Sequence, residues 1–277
     1  MNRALLFSLL MVSCTAGAIV IRHDVPDSEY IVSEQEVAAL VDLPQEGHGV
    51  LIASQWVITA AHAIEQLEIK NVTIKGSRRN VECRFVHPGY RRLPRELLTG
   101  DSKPAMEFLR SFHDIALIKL DKPVIGVVPI AINRDMNELG MEVKIYGKGA
   151  TGNGVDGQNS GGPNRTVLRR AFNRITRVEE QWLIYRFDRG SSAQKLEGML
   201  GNGDSGGPVL IRENGTWLLA GLASWKYWEG DMANFKVGFY GQEAYQVRIS
   251  HYADWIESVM SSGMTERASG SCHASQG

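Results

Sequence analysis

Cysteine is scarce in this chain: Cys14, Cys83 and Cys272 are the three among 277 residues. A chain of this length can bury a sufficient core without disulfides, so no disulfide framework is required. Charge of one sign is missing as well. Thirty Lys and Arg face 31 Asp and Glu, a formal net charge of −1 at pH 7. Nothing in that balance attracts a polyanion, which excludes nucleic acid as the natural partner. Long apolar runs are absent. The stretch 4–12 is apolar but too short to cross a bilayer as a helix, so no transmembrane segment is expected. Acidic side chains at ligand spacing are also lacking. The Gly- and Asn-rich stretch 150–165 offers Asp156 without companions for calcium. Neither a metal nor a cofactor is expected.

The amino terminus carries a signal of its own. Arg3, the apolar residues 4–12 and Ala16-Gly17-Ala18 have the order of a secretion signal with an A-x-A-like cleavage site. Removal of residues 1–18 begins the mature chain at Ile19 and makes it secreted or periplasmic. Met11-Val12-Ser13-Cys14 offers an alternative, because it loosely resembles a bacterial lipoprotein box; the protein would then be lipid-anchored through Cys14.

Most of the remaining chain reads as short strands separated by turns. Residues 50–58 are strand-like around an Ala53-Ser54-Gln55 turn, and 69–74 alternate polar with apolar. Val81, Cys83 and Phe85 alternate with Glu82 and Arg84. Segments 115–120, 142–146 and 182–187 fit strands, as do 209–212 and 217–224 across a Glu213-Asn214-Gly215 turn. Such spacing argues for an all-β barrel or sandwich without choosing between them. Three stretches break the rhythm. Residues 91–112 hold prolines, charges and a short helical piece at 105–109. Residues 150–165 are expected to be a mobile loop. Residues 252–260 form the one convincing helix, with Tyr252, Trp255, Ile256 and Val259 on one face. The tail 262–277 is small and polar and is expected to be flexible.

Chemistry concentrates in three places. Gly201-Asn202-Gly203-Asp204-Ser205-Gly206-Gly207-Pro208-Val209 flanks a serine with glycines. Glycines admit a substrate backbone and let two amide N–H groups point at one carbonyl oxygen. Thr59-Ala60-Ala61-His62 ends a strand, and His113-Asp114-Ile115-Ala116-Leu117 begins another. A serine hydroxyl needs a base beside it, and an imidazole needs a carboxylate to fix its tautomer. Each residue alone has a plainer reading, as a turn serine, a core histidine or a turn aspartate. The three together are hard to explain that way.

This constellation resembles the chymotrypsin/trypsin family of serine proteases and suggests a bacterial-type secreted member. The likeness extends to GHGVLIASQWVITAAHA over 47–63, to Ser224-Trp225 and to Tyr252-Ala253-Asp254-Trp255-Ile256. It implies two antiparallel six-stranded β-barrels with a C-terminal helix, the first over 19–130 and the second with its helix over 131–261. It implies His62 as general base, Asp114 as its orienting carboxylate, Ser205 as nucleophile, and the N–H groups of Gly203 and Ser205 as the oxyanion hole. It implies an ion pair between a free Ile19 amine and Asp204. Met199 corresponds to the floor of the primary substrate pocket, and Ser224, Trp225 and Lys226 to its bordering wall. Protein or peptide substrates and proteinaceous inhibitors are the implied partners. Methionine at the floor predicts a preference not restricted to Lys or Arg. The chain departs from the family where disulfides are usual: His48, Ala63 and Gly201 occupy such positions. Cys83 and Cys272 are left as one candidate pair.

Two other readings compete. Gly203-Asp204-Ser205-Gly206-Gly207 also fits the nucleophile elbow of α/β-hydrolases, with Asp231 and His251 as partners. That reading requires a helix soon after Ser205, where the sequence instead has Pro208 and a strand-like Val209-Leu210-Ile211. The second is a catalytically weak or inactive binding protein on a protease fold.

Overall fold

The computed structural model describes residues 19–65 and 68–265. The leader 1–18, with Cys14, and the end of the tail, with Cys272, lie outside the described residues. Cys83 is disulfide-bonded; its expected partner Cys272 falls outside.

Strand β1 (Ile19–Ile21) opens the described chain. There follow β2 (Leu40–Asp42), β3 (His48–Ala53), β4 (Trp56–Thr59), β5 (Asn71–Ile74), β6 (Ser77–Val86) and β7 (Ala116–Leu120). These six close an antiparallel barrel in the spatial order β2-β3-β4-β7-β6-β5. Then come β8 (Glu142–Gly147), β9 (Thr151–Asn153), β10 (Gly157–Gln158), β11 (Arg169–Glu179), β12 (Trp182–Arg186), β13 (Gly198–Met199), β14 (Pro208–Glu213), β15 (Thr216–Lys226) and β16 (Glu243–Arg248). A second antiparallel barrel runs β11-β12-β16-β15-β14-β8, and a small sheet, β10-β9-β1-β13, lies beside it. A helix, α1 (Lys103–Ser111), precedes β7, and α2 (Ala253–Thr265) ends the described residues.

Burial explains the closure. Inward faces of the first barrel pack Val41, Leu51, Val57, Ile118 and Leu120. Those of the second pack Val143, Ile145, Ile175, Leu183 and Ile211. A third cluster joins the barrels: Trp56, Phe85 and Leu117 from one, Trp182, Leu219 and Tyr245 from the other, Ile256 from α2. Buried large aliphatic and aromatic side chains each stabilise the fold by roughly 1.5–3 kcal/mol. Lys119 breaks the apolar run of β7, and its ammonium donates to the Gly263 carbonyl at 2.7 Å, fastening α2 to the first barrel. The connector between the barrels is bound at both ends, and Val124 N–H donates to the Ser54 carbonyl at 2.7 Å. Ile130 N–H donates to Leu51 and Leu219 N–H to Ala131, whereas Ile125 and Val128 are more than four-fifths exposed.

Two segments differ from expectation. Residues 150–165 are not a loose loop. They supply β9 and β10, Asn164 donates to Glu46, and Arg165 pairs with Asp42 at 2.7 Å. The partners lie more than a hundred residues away in sequence, which is why composition alone suggested mobility. The strand β11 was not anticipated. Its buried positions are Arg169, Ala171, Asn173 and Ile175. Two are polar, so the apolar period is masked; Arg169 is reconciled with burial by a bidentate pair to Asp27.

Three histidines stack beside α2. The His87 and His113 rings lie 4.6 Å apart, and those of His113 and His251 6.4 Å apart. His87 Nδ1 accepts from the Gly89 N–H, which requires that nitrogen unprotonated. Burial, then the neighbouring His113 and His251, push His87 down to about 4. A histidine with a depressed folded pKa contributes stability above its unfolded pKa, near 6.5, and loses it as pH falls toward 4. The melting temperature of His87→Asn should therefore fall less between pH 6.5 and 4 than that of the unchanged protein. Parallel thermal denaturation curves across that range check this.

Candidate active site

The pairing of β4 with β7 brings the first two groups together. Thr59 stands opposite Ala116, so the turn after β4, Ala61–Ala63, faces Asp114, two residues before β7. His62 N–H donates to Asp114 Oδ1 at 2.8 Å, and His62 Nδ1 lies 2.7 Å from Asp114 Oδ2. Asp114 is fully buried. The second barrel adds Ser224, whose hydroxyl donates to Asp114 Oδ2 at 2.5 Å. An ionised carboxylate only accepts, so Nδ1 carries the proton and Nε2 is left as an acceptor. Ser205 Oγ lies 2.7 Å from that Nε2. His113 turns away, to Tyr252 Oη at 2.9 Å.

The serine loop is clamped against the first barrel. His48 N–H donates to Ser205 O at 2.7 Å, and Gly47 N–H to Gly203 O at 3.2 Å. Glycine is required at two positions. Gly206 has φ +75°, and a Cβ there would lie 2.1 Å from His48 O. Gly203 has φ +84°, and a Cβ would lie 2.3 Å from Asn164 O. Neither the Gly203 nor the Ser205 N–H donates to a protein acceptor among the described residues.

Charge is arranged around these groups. Burial works against the His62 imidazolium, but the charge and hydrogen bond of Asp114 outweigh it and hold the pKa above its ordinary value. Burial opposes ionisation of Asp114, yet His62 and the Ser224 hydroxyl keep its pKa low. Asp204 differs. Its oxygens accept from Gly149 N–H and Gly201 N–H, both at 2.7 Å. Burial nevertheless raises its pKa.

The expected substrate wall is only partly open. Met199 is fully buried, paired with Val20 and packed in the second-barrel core. It does not face solvent. Trp225 stacks on Tyr245, with ring centroids 3.8 Å apart. Lys226 is 7 % exposed, and its ammonium donates to Asn202 Oδ1 at 3.0 Å and Gln158 Oε1 at 3.1 Å. Burial pushes Lys226 down to about 8, against the pull of Asp204. A cleft of about 340 Å³ opens beside His62, lined by Tyr90, Leu93, Leu98, Leu109, Phe112 and Trp225. A larger one, about 640 Å³, lies between α1 and residues 227–231 and touches none of His62, Asp114 and Ser205.

The α/β-hydrolase reading fails on this geometry. Ser205 is followed by the strand β14, not a helix. Its hydroxyl meets His62, while His251 stacks in the histidine row and Asp231 caps the turn at Ala233. Sequence reasoning missed the clamp from Gly47 and His48, because backbone bonds leave no signature in side-chain pattern. It also placed Ser224 only along the wall.

The Trypsin family profile matches residues 33–256. The chain belongs to the trypsin family. Its relatives include vitamin K-dependent protein C of Rattus norvegicus and of Mus musculus. Each is 28 % identical over 239 residues, covering 76 % of this chain and 45 % of the relative. The protein of the same name from Oryctolagus cuniculus is 27 % identical over 234 residues, with the same coverage. The chain thus spans under half the length of the curated relatives it matches. These relatives are mammalian and lend no support to a bacterial-type member. Two closed six-stranded barrels and a C-terminal helix are the architecture that the family resemblance implied.

In this trypsin-family site the buried carboxylate should govern the imidazole. Asp114→Asn removes the charge that raises His62, so the His62 pKa should drop below its value in the unchanged protein. NMR titration of the His62 ring protons in both proteins measures it.

Proposed function

We propose that this chain is a serine endopeptidase that cleaves protein or peptide substrates through an acyl-enzyme on Ser205. The observation that carries the reading is the continuous link Ser205 Oγ–His62 Nε2–His62 Nδ1–Asp114 Oδ2, whose two hydrogen bonds are each 2.7 Å. Ser205 Oγ bonds to the substrate carbonyl carbon while His62 Nε2 takes the hydroxyl proton. The carbonyl π electrons move to oxygen, and the N–H groups of Gly203 and Ser205 stabilise that oxyanion, each by roughly 3 kcal/mol. Collapse of the intermediate breaks the C–N bond as His62 returns the proton to the leaving amine. Water then attacks the acyl-enzyme, losing its proton to His62, and the acid is released as Ser205 regains its hydrogen. Asp114 stays ionised throughout and stabilises the imidazolium.

The processing reading belongs to the same proposal. Cleavage after Ala18 frees an Ile19 amine that pairs with Asp204. The register of Val20 with Met199 supports this, because it sets Ile19 beside Leu200, next to Gly201, whose N–H binds Asp204. Ile19 also has φ +63°, unfavourable for a β-branched residue, and a free amine has no such torsion. The protein is secreted or periplasmic on this reading, with a lipid anchor at Cys14 as the alternative. Among the described residues no helix is long and apolar enough to cross a membrane. Proteinaceous inhibitors would share the cleft. The substrate preference is not restricted to Lys or Arg, since the Lys226 ammonium is held against Asn202 of the serine loop and disfavours a second cation there.

A catalytically weak binding protein is the second reading, favoured by the Lys226 side chain filling the expected pocket wall. A diisopropyl fluorophosphate adduct on Ser205, read by intact mass, separates the two. Ser205→Ala should abolish the adduct and lower peptide hydrolysis by at least about 10⁴-fold. Hydrolysis unchanged in that variant overturns the mechanism. Sequencing the mature amino terminus checks the processing: Ile19 is expected first, and any other first residue contradicts it.

A further inference from the structure

The most unusual charge near Ser205 is Lys226. It follows Ser224-Trp225 at the end of β15 and is more than nine-tenths buried. Its acceptors are two neutral amide oxygens, Asn202 Oδ1 and Gln158 Oε1. No ion-pair partner lies within 4.0 Å of it among the described residues. Asp204 is the negative group that acts on it, but both Asp204 oxygens are engaged by backbone amides. An enclosed ammonium satisfied only by neutral dipoles is expensive, and buried charges are ordinarily paired. Lys226 is thus a cation held in place without its counter-charge.

Its position says where that counter-charge would come from. Asn202 immediately precedes Gly203, one of the two free amides beside Ser205. On the endopeptidase reading, the substrate residue whose carbonyl those amides hold enters beside Asn202, the residue that the Lys226 ammonium binds. We propose that Lys226 is a specificity-determining residue that selects substrates with a carboxylate side chain, Asp or Glu, at the position directly before the scissile bond. This rests on the endopeptidase reading of the site. A carboxylate entering there exchanges neutral contacts for a desolvated ion pair. An apolar side chain displaces the amide oxygens and leaves the ammonium bare. A lysine or arginine side chain brings a like charge into the same space. The preference is therefore acidic first, apolar second and basic last, which is narrower than a preference not restricted to Lys or Arg.

Binding tests this without relying on turnover. In the Ser205→Ala protein, four peptides differing only in Glu, Asp, Leu or Lys before the scissile bond are titrated by fluorescence anisotropy. The Glu or Asp peptide should bind about tenfold or more tightly than the Leu peptide, with Lys weakest. In Ser205→Ala/Lys226→Met the difference should collapse to within about twofold, and Ser205→Ala/Lys226→Arg should retain it. Thermal denaturation establishes that each variant is folded, and the arginine variant serves should the methionine one not be. Equal or tighter binding of the Leu or Lys peptide overturns the proposal. So does an acidic preference that survives Lys226→Met, or failure of all four peptides to bind at millimolar concentration. The diisopropyl fluorophosphate adduct on Ser205 tests the endopeptidase reading separately. An adduct without acidic preference removes only the role of Lys226. Acidic preference without an adduct removes only the hydrolysis.

Discussion

The site depends on one buried carboxylate. Asp114 has no exposure to solvent and would be costly to ionise if its oxygens were not filled. Three donors fill them: the backbone N–H and Nδ1 of His62 from the first barrel, and the Ser224 hydroxyl from the second. The barrels must therefore approach closely for this charge to be tolerated, and only in that approach does His62 Nε2 meet Ser205. The aromatic and aliphatic cluster between the barrels supplies the contact area; the carboxylate supplies its orientation. A shift of one barrel against the other would expose or strand Asp114, which makes the geometry of His62, Asp114 and Ser205 a condition of the fold and not an addition to it.

The serine loop meets the same interface from the other side. Two main-chain bonds from Gly47 and His48 hold it, and Gly206 leaves no room for a side chain beside His48 O. Behind the clamp, Asp42 takes Lys148 at 2.9 Å and Arg165 at 2.7 Å, so a first-barrel carboxylate fastens two segments of the second half. Thr59 Oγ1 donates to His48 O at 2.6 Å, which links the clamp to the strand that presents His62. Ser205, His62 and Asp114 are thus fixed by one connected set of backbone and ionic contacts.

Much of this was legible from the chain. The alternation of β5 and β6, the apolar run from Ile115 to Ile118 into β7 and the Glu213-Asn214-Gly215 turn each reported its own structure. Three short motifs marked His62, Asp114 and Ser205. What stayed hidden has a common cause. β11 buries Arg169 and Asn173, and residues 150–165 are held by Asp42 and Glu46, so their stability comes from distant polar partners and not from local apolar period. Met199 illustrates the same limit at the site. Its position in the motif suggested a pocket floor, but β13 pairs with β1 and turns it into the core. The direction taken by Lys226 depends on Asn202 and Gln158, and one of these is 68 residues away in sequence.

The connector between the barrels carries a further consequence. Its exposed stretch around Ile125 and Val128 makes none of the bonds that anchor Ile130 and Ala131. Cutting the polypeptide there divides it into two pieces, one with His62 and Asp114 and the other with Ser205 and Ser224. Neither piece holds a complete set of interacting groups, and the surface that joins them is the apolar cluster described above. The protein is in this sense a ready-made complementation pair: two fused targets brought together would be reported by the return of the contact between Ser205 and His62, with background set by how well each lone barrel hides the half of the cluster it exposes.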